Sequence, residues 1–162
     1  MEWIFLMGEM MNNIKIFFAA PISGFKDELE YRKNRDNLLN IISKLRINFK
    51  VSSEILHIGS LASYDEPGAS AIKDFNEIKD ADVFIIYHPM NMQTSTFIEL
   101  GYAVAKGKNI IIIGEKNTLP YLALGLSKYS SNIKIISSSE LDANTFEKIE
   151  ILINEFFNVS SD

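Results

Sequence analysis

Glu99 is the only charge between Thr96 and Ala105, set among Phe97, Ile98, Leu100, Tyr102, Ala103 and Val104. A carboxylate in such surroundings is costly unless it is paired or used. Two readings stand: Glu99 faces water or pairs with a lysine such as Lys106, or it takes part in chemistry. A second carboxylate, Asp74, flanks the apolar stripe Ala71, Ile72, Phe75 and Ile78, where an aspartate is ordinarily solvated. Asp80 and Asp82 need no function, because turn chemistry explains an aspartate between two elements. Gln93-Thr94-Ser95-Thr96 combines three hydroxyls with free backbone N–H groups, a favourable place for a phosphate, although an N-cap at Thr94 or Ser95 explains the same residues. His88, at the end of an apolar run, is suited to stack on or hydrogen-bond to a base; a satisfied strand-end histidine is the plainer account. Met90 and Met92 suit an apolar base pocket or a loop over the core.

These residues must be positioned by an alternating series of strands and helices. Residues 14–20 are short, apolar and β-rich and stop at Pro21-Ile22-Ser23-Gly24, a turn signal. Residues 27–46 carry Leu29, Leu38, Leu39, Ile41, Ile42 and Leu45 on a helical period. A strand is expected over 49–53, a loop over 55–68 and a helix over 69–80. Strand 83–87 and helix 94–106 follow, then strand 109–113, helix 119–129, strand 133–136 and helix 139–157. This order implies a doubly wound, flavodoxin- or Rossmann-like α/β fold, a five-stranded parallel sheet with helices on both faces. Ligands of such sheets lie outside the carboxyl ends of the strands where strand order reverses, which puts residues 20–24 and 88–96 at the crevice. The loop over 55–68 has the length of a lid. Gly101, inside a helix at a cost of roughly 1 kcal/mol against alanine, suggests close approach of a neighbour or ligand.

Composition narrows the classes. With 162 residues, 47% hydrophobic and 23% charged, the chain has the make-up of a folded globular protein. Residues 14–162 are expected to form one domain and residues 1–13 an N-terminal extension. Sixteen basic against 21 acidic residues give a net charge of −5, which carries no footprint for long nucleic acid. No stretch approaches the roughly 20 apolar residues of a membrane span, and Trp3–Met7 is too short for a signal core, so a cytoplasmic protein is expected. With no cysteine and only His57 and His88, thiolate zinc is excluded, a metal centre is disfavoured and no cofactor is expected. Neither a G-x-G-x-x-G nor a P-loop lysine is present, so dinucleotide and nucleoside triphosphate fingerprints are missing.

Taken together, Phe17-Phe18-Ala19-Ala20-Pro21-Ile22-Ser23-Gly24, the Asp74 to Asp82 spacing, and Phe97-Ile98-Glu99-Leu100-Gly101-Tyr102-Ala103 running into Gly107-Lys108-Asn109-Ile110 resemble the nucleoside 2-deoxyribosyltransferase family, including its 2-deoxynucleoside 5-phosphate N-hydrolase relatives. The resemblance spans residues 14–137. It implies cleavage of an N-glycosidic bond, with Glu99 in the place of the nucleophile that attacks C1 of the sugar and Asp74 in that of the acid beside the leaving base. Two carboxylates about 5 Å apart are what retaining glycosidic chemistry requires. Glu99 then needs a donor such as Tyr102 to stay ionised.

Where the family's transferases carry an aspartate six residues before the nucleophile, in an Asp-x-Gly-Thr pattern, this chain has Gln93-Thr94-Ser95-Thr96. The hydroxyls resemble the serine with which the monophosphate hydrolases contact the 5-phosphate, and Ser23, Gly24 and Lys26 near the first turn would add to that contact. Ser95 stands where the family has glycine. The expected activity is therefore release of free base from a nucleoside 5-monophosphate or related nucleotide by a homodimer or higher assembly. A nucleotide-binding sensor without turnover and a true deoxyribosyltransferase are the alternatives. Ser23, Gly24, His88, Gln93, Thr94, Ser95, Thr96 and Tyr102 are the expected substrate contacts.

Overall fold

Strand and helix alternate along the chain because runs of β-branched and aromatic residues, long enough to cross a sheet, are separated by amphipathic segments that cover it. The structure, a computed structural model, describes residues 13–22, 25–59, 66–90, 92 and 94–157. The expected extension, apart from Asn13, and the expected contacts Ser23, Gly24 and Gln93 lie outside the described residues.

The elements are β1 (Lys15–Ala19), α1 (Glu28–Leu45), β2 (Lys50–Ser52), a short 3-10 turn (Glu54–Leu56), α2 (Pro67–Asp80), β3 (Val83–Tyr87), α3 (Thr96–Ala105), β4 (Asn109–Ile113), α4 (Tyr121–Tyr129), β5 (Ile133–Ile136) and α5 (Ala143–Phe156). All strand pairs are parallel, in the order β2-β1-β3-β4-β5, with Phe17 opposite Phe84 and Phe84 opposite Ile110. Side chains alternate between two cores. Ile16, Phe18, Val83, Ile85, Ile111 and Ile113 face α1 and α5; Phe17, Ala19, Phe84, Ile86, Ile110 and Ile112 face α2, α3 and α4. The doubly wound parallel sheet expected from the sequence is the fold. No helix among the described residues is long and apolar enough to cross a membrane.

Helix starts differ from expectation at α5, which a side chain caps, and at α3, which none does. α5 begins at Ala143 rather than 139 because Asp142 accepts from the Thr145 amide, and the Thr145 hydroxyl bonds back to the Glu140 carbonyl. α3 begins at Thr96 rather than 94. Gly101 has no close neighbour after all: it is exposed, and among the described residues a Cβ there would meet nothing within 4 Å, because it lies on the outward face of α3. The close approach is at Gly114 instead, where a Cβ would come 2.9 Å from the His88 carbonyl and from Leu119. Asp82 has the turn role expected of it, accepting from the Lys15 amide at 2.8 Å, while the Lys108 ammonium donates to the carbonyls of Lys79 and Ala81 and closes the C-terminus of α2.

Candidate functional site

Strand order reverses between β1 and β3, and a cavity of about 440 Å³ opens there at the carboxyl ends of the strands. Its wall is made by Ile22 after β1, Glu54 after β2, Asp74 and Phe75 on α2, and Ser95, Ile98 and Glu99 at the start of α3. Each element has its own anchor. Asn34 of α1 donates to the Pro21 carbonyl at 3.0 Å and fixes the chain leaving β1. The 3-10 turn is held by burial of Ser53, Ile55 and Ile58, and by Tyr31 and Arg35 of α1, which both donate to the Ile58 carbonyl at 3.0 and 2.9 Å. α2 and α3 pack side by side, with the Phe75 and Tyr102 rings stacked at 4.6 Å.

These anchors bring three carboxylates together. Glu54, Asp74 and Glu99 each offer an oxygen, and the three oxygens lie within 4.8 Å of one another. Asp74 and Glu99 are 5% and 7% exposed, so neither is the solvated side chain that the plain reading allowed. Lys106 does not neutralise Glu99; its ammonium lies over the Tyr102 ring, 5.3 Å from the centroid. No basic residue is among the described residues lining the cavity. Burial, the Asp74 carboxylate and the Glu54 carboxylate, in that order, push Glu99 up from 4.5 to about 8. The trio therefore keeps a proton at neutral pH. It is also the one group of three ligand-type side chains among the described residues with the spacing to hold a hard cation.

The remaining expected contacts divide between two places. Ser95 lines the same cavity, and as N-cap of α3 it makes no side-chain capping bond. His88 and Thr94 line a second cavity of about 460 Å³ on the β4 side of α3, together with Phe97 and Leu119. His88 is buried edge-on against Phe97 at 4.9 Å, its Nδ1 has no hydrogen-bond partner, and burial lowers its pKa. Thr96 is buried and lines neither cavity, and Tyr102 stands against Phe75 rather than at the carboxylates. Glu54 was not singled out from the sequence. The signal for it was an acid directly after a strand in a sheet whose strand ends face the ligand.

The chain matches no protein-family model. It matches no curated protein either. Solved structures share its fold. The structure of CMP N-glycosidase BcmB from Clostridium botulinum is 22% identical with a TM-score of 0.58, over 88% of this chain and 98% of that one. The solution structure of BlsM is 17% identical with a TM-score of 0.69, over 91% and 96%. A conserved protein from Enterococcus faecalis V583 is 16% identical with a TM-score of 0.52, over 88% and 98%. At these identities the fold is what is shared.

Proposed function

We propose that this protein cleaves the N-glycosidic bond of a nucleoside 5-monophosphate or related nucleotide, with Glu99 as nucleophile and Asp74 as acid. The observation that carries the reading is the pair of buried carboxylates, with oxygens no more than 4.8 Å apart, in a cavity at the strand-order switch. Close to 5 Å is the separation of carboxyl groups in retaining enzymes, where one forms a covalent glycosyl intermediate; inverting enzymes hold them further apart to admit a water. The likeness in fold to a protein described as a CMP N-glycosidase supports the same reading.

Glu99 attacks C1 as the C1–N bond breaks, and the bonding electron pair leaves with the base, which takes a proton from Asp74. Water then attacks C1 of the glycosyl ester, Asp74 takes the proton from that water, and Glu99 is released. This cycle needs one proton across two carboxyl groups, which is what a trio that retains a proton at neutral pH provides. Positive charge developing on the sugar is stabilised by the surrounding carboxylates. The Ser95 hydroxyl, which lines the cavity and makes no capping bond, supports a phosphate contact at the start of α3. Self-association belongs to the same proposal: Ile72 on α2 and Ile98 on α3 are each 67% exposed, and light scattering reads the assembly.

The test is chromatographic detection of free base from a panel of ribo- and deoxyribonucleoside 5-monophosphates, nucleosides and NAD, with Glu99→Gln in parallel. Release by the native protein that falls at least about a thousandfold in the variant is expected. Silence across the panel by a folded, nucleotide-binding protein refutes catalysis. One observation favours a second reading, a nucleotide-binding protein without turnover: a nucleophile that holds a proton at neutral pH is a poor one. Equal, tight nucleotide binding by native protein and Glu99→Gln, with no base released by either, is its signature.

A further inference from the structure

The N-terminal half of α2 turns one face to the carboxylate cavity. Pro67, Ser70, Ala71, Asp74 and Phe75 line it, at positions i, i+3, i+4, i+7 and i+8 of the helix. Residues four apart stand one above the other, so this face is two adjacent rows, the apolar Pro67, Ala71 and Phe75 beside the polar Ser70 and Asp74. The proposed reaction uses only Asp74 of the five. Phe75 is the one aromatic side chain among the described lining residues of this cavity. Its ring is held in place by α3: the Tyr102 ring stacks on it at 4.6 Å, with planes 22° from parallel, and the Lys106 ammonium lies 5.3 Å from the Tyr102 centroid. Both rings also pack against the core beneath α2 and α3. With one face taken by Tyr102, the Phe75 ring has its edge and its other face to offer, and each makes a favourable contact with a second aromatic ring.

We infer that Phe75 is the surface against which the base of the nucleotide packs, and that the apolar row of α2 beside Asp74 makes this site select a planar aromatic leaving group. The inference rests on the N-glycosidase reading. A base has two apolar π faces and a rim of hydrogen-bonding atoms, so it matches an apolar row set next to a polar one. The lone pairs through which a leaving base takes up a proton lie in its ring plane, and an acid must therefore approach from the rim. An aromatic contact one residue along the helix from Asp74 fixes that plane and keeps the rim toward the acid. Because Tyr102 already holds the Phe75 ring, little side-chain freedom is lost when the base arrives. The stack also gives Tyr102 a part: it does not reach the carboxylates, and it supports the ring beside one of them.

The experiment asks whether the penalty for losing the ring follows the base. Calorimetry measures the affinity of the Glu99→Gln protein, which leaves its ligand intact, for a nucleoside 5-monophosphate, for the free base and for ribose 5-phosphate, with Phe75 kept or changed to Ala, Leu or Tyr. Phe75→Ala is expected to weaken nucleotide and free base by about five- to a hundredfold, the range for a base stacked on an aromatic side chain. Ribose 5-phosphate should weaken by less than about twofold. Phe75→Tyr keeps a ring and should bind all three ligands as the parent does. Phe75→Leu keeps apolar bulk, so a poorly folded alanine variant does not remove the test; its expected loss on the two base-bearing ligands is about two- to tenfold. In protein that retains Glu99, the same changes should lower kcat/KM for base release by similar factors. Equal weakening of all three ligands assigns Phe75 to packing alone, and no weakening of any removes it from the site; either result overturns the inference while N-glycosidic cleavage stands on base release by the native protein. Binding without turnover drops the catalytic reading and leaves the three-ligand comparison to decide on Phe75. A nucleotide that neither binds Glu99→Gln nor loses its base to native protein overturns both.

Discussion

Ionising Glu99 in the folded protein places a third negative charge among buried carboxylates, and stability should record that cost. The group's pKa rises from 4.5 to about 8 on folding. Between those values the native state holds a proton that the unfolded chain has released, so stability falls as pH rises through this window, by up to about 1.4 kcal/mol per pH unit. Below the window both states are protonated and above it both are ionised, so the slope vanishes at each end. The full span of about 3.5 units corresponds to about 5 kcal/mol, an upper figure because relaxation and water entry lower the cost of a buried charge. Glu99→Gln has nothing to titrate at this position. Urea unfolding of native and variant proteins at pH 4.5, 6, 8 and 9 should show the variant gaining on the native protein by at least about 2 kcal/mol between pH 4.5 and 8, then levelling. Charges common to both proteins cancel in the difference, as does the fixed cost of burying an amide. A difference that is flat with pH would mean that Glu99 is already ionised at pH 4.5 in the fold, and the electrostatics argued for the trio would be refuted.

Asp74→Asn removes the acid and one of the two charges that raise Glu99. Base release should fall by about 10²- to 10⁴-fold, with much of the loss recovered on a substrate whose base departs without protonation; equal loss on both substrates would deny Asp74 the role of acid. Because no step of the proposed cycle passes through a metal, base release should be unchanged after EDTA treatment and dialysis, and a loss restored by Mg²⁺ would reassign the trio to a cation. Two glycines make a matched pair in chemical denaturation. Gly101→Ala, in an exposed helix interior with nothing to meet, should stabilise by about 0.5–1 kcal/mol, whereas Gly114→Ala, driven into the His88 carbonyl and Leu119, should destabilise by about 1–3 kcal/mol.

The sheet was legible because its strands are local statements. Val83–Tyr87, Asn109–Ile113 and Ile133–Ile136 are uninterrupted apolar runs between turn residues, and their ends coincide with the strands observed. The start of α5 was less legible because it hangs on a single side-chain bond, from the Thr145 amide to Asp142. At the site, Glu99 could be found from its isolation among apolar neighbours, since a lone charge there carries a cost wherever the helix packs. Asp74 offered no such signal: the stripe beside it allows either a solvated or a buried position, and the packing of α2 along α3 decides for burial. Glu54 was harder still. It sits in a three-residue turn with no periodicity, and what fixes it are bonds from Tyr31 and Arg35 on a distant helix to the Ile58 carbonyl.

The three acids come from two crossovers of the sheet, Glu54 and Asp74 from the connection between β2 and β3 and Glu99 from that between β3 and β4, and each alone has an ordinary explanation. Their meeting is a property of the strand order, which places the ends of β1, β2 and β3 around one opening. The same convergence explains why the site carries its charge without a cation among its described lining residues: any lysine within reach would pull Glu99 toward permanent ionisation and take from the trio the proton that the leaving base needs. A centre that must be nucleophile and acid in turn is better served by carboxylates that compete for one proton than by carboxylates each satisfied separately. Instability at alkaline pH and base release near neutrality are then two readings of one arrangement. A variant that relieves the first by removing a charge from Glu54, Asp74 or Glu99 should, in each case, cost some of the second.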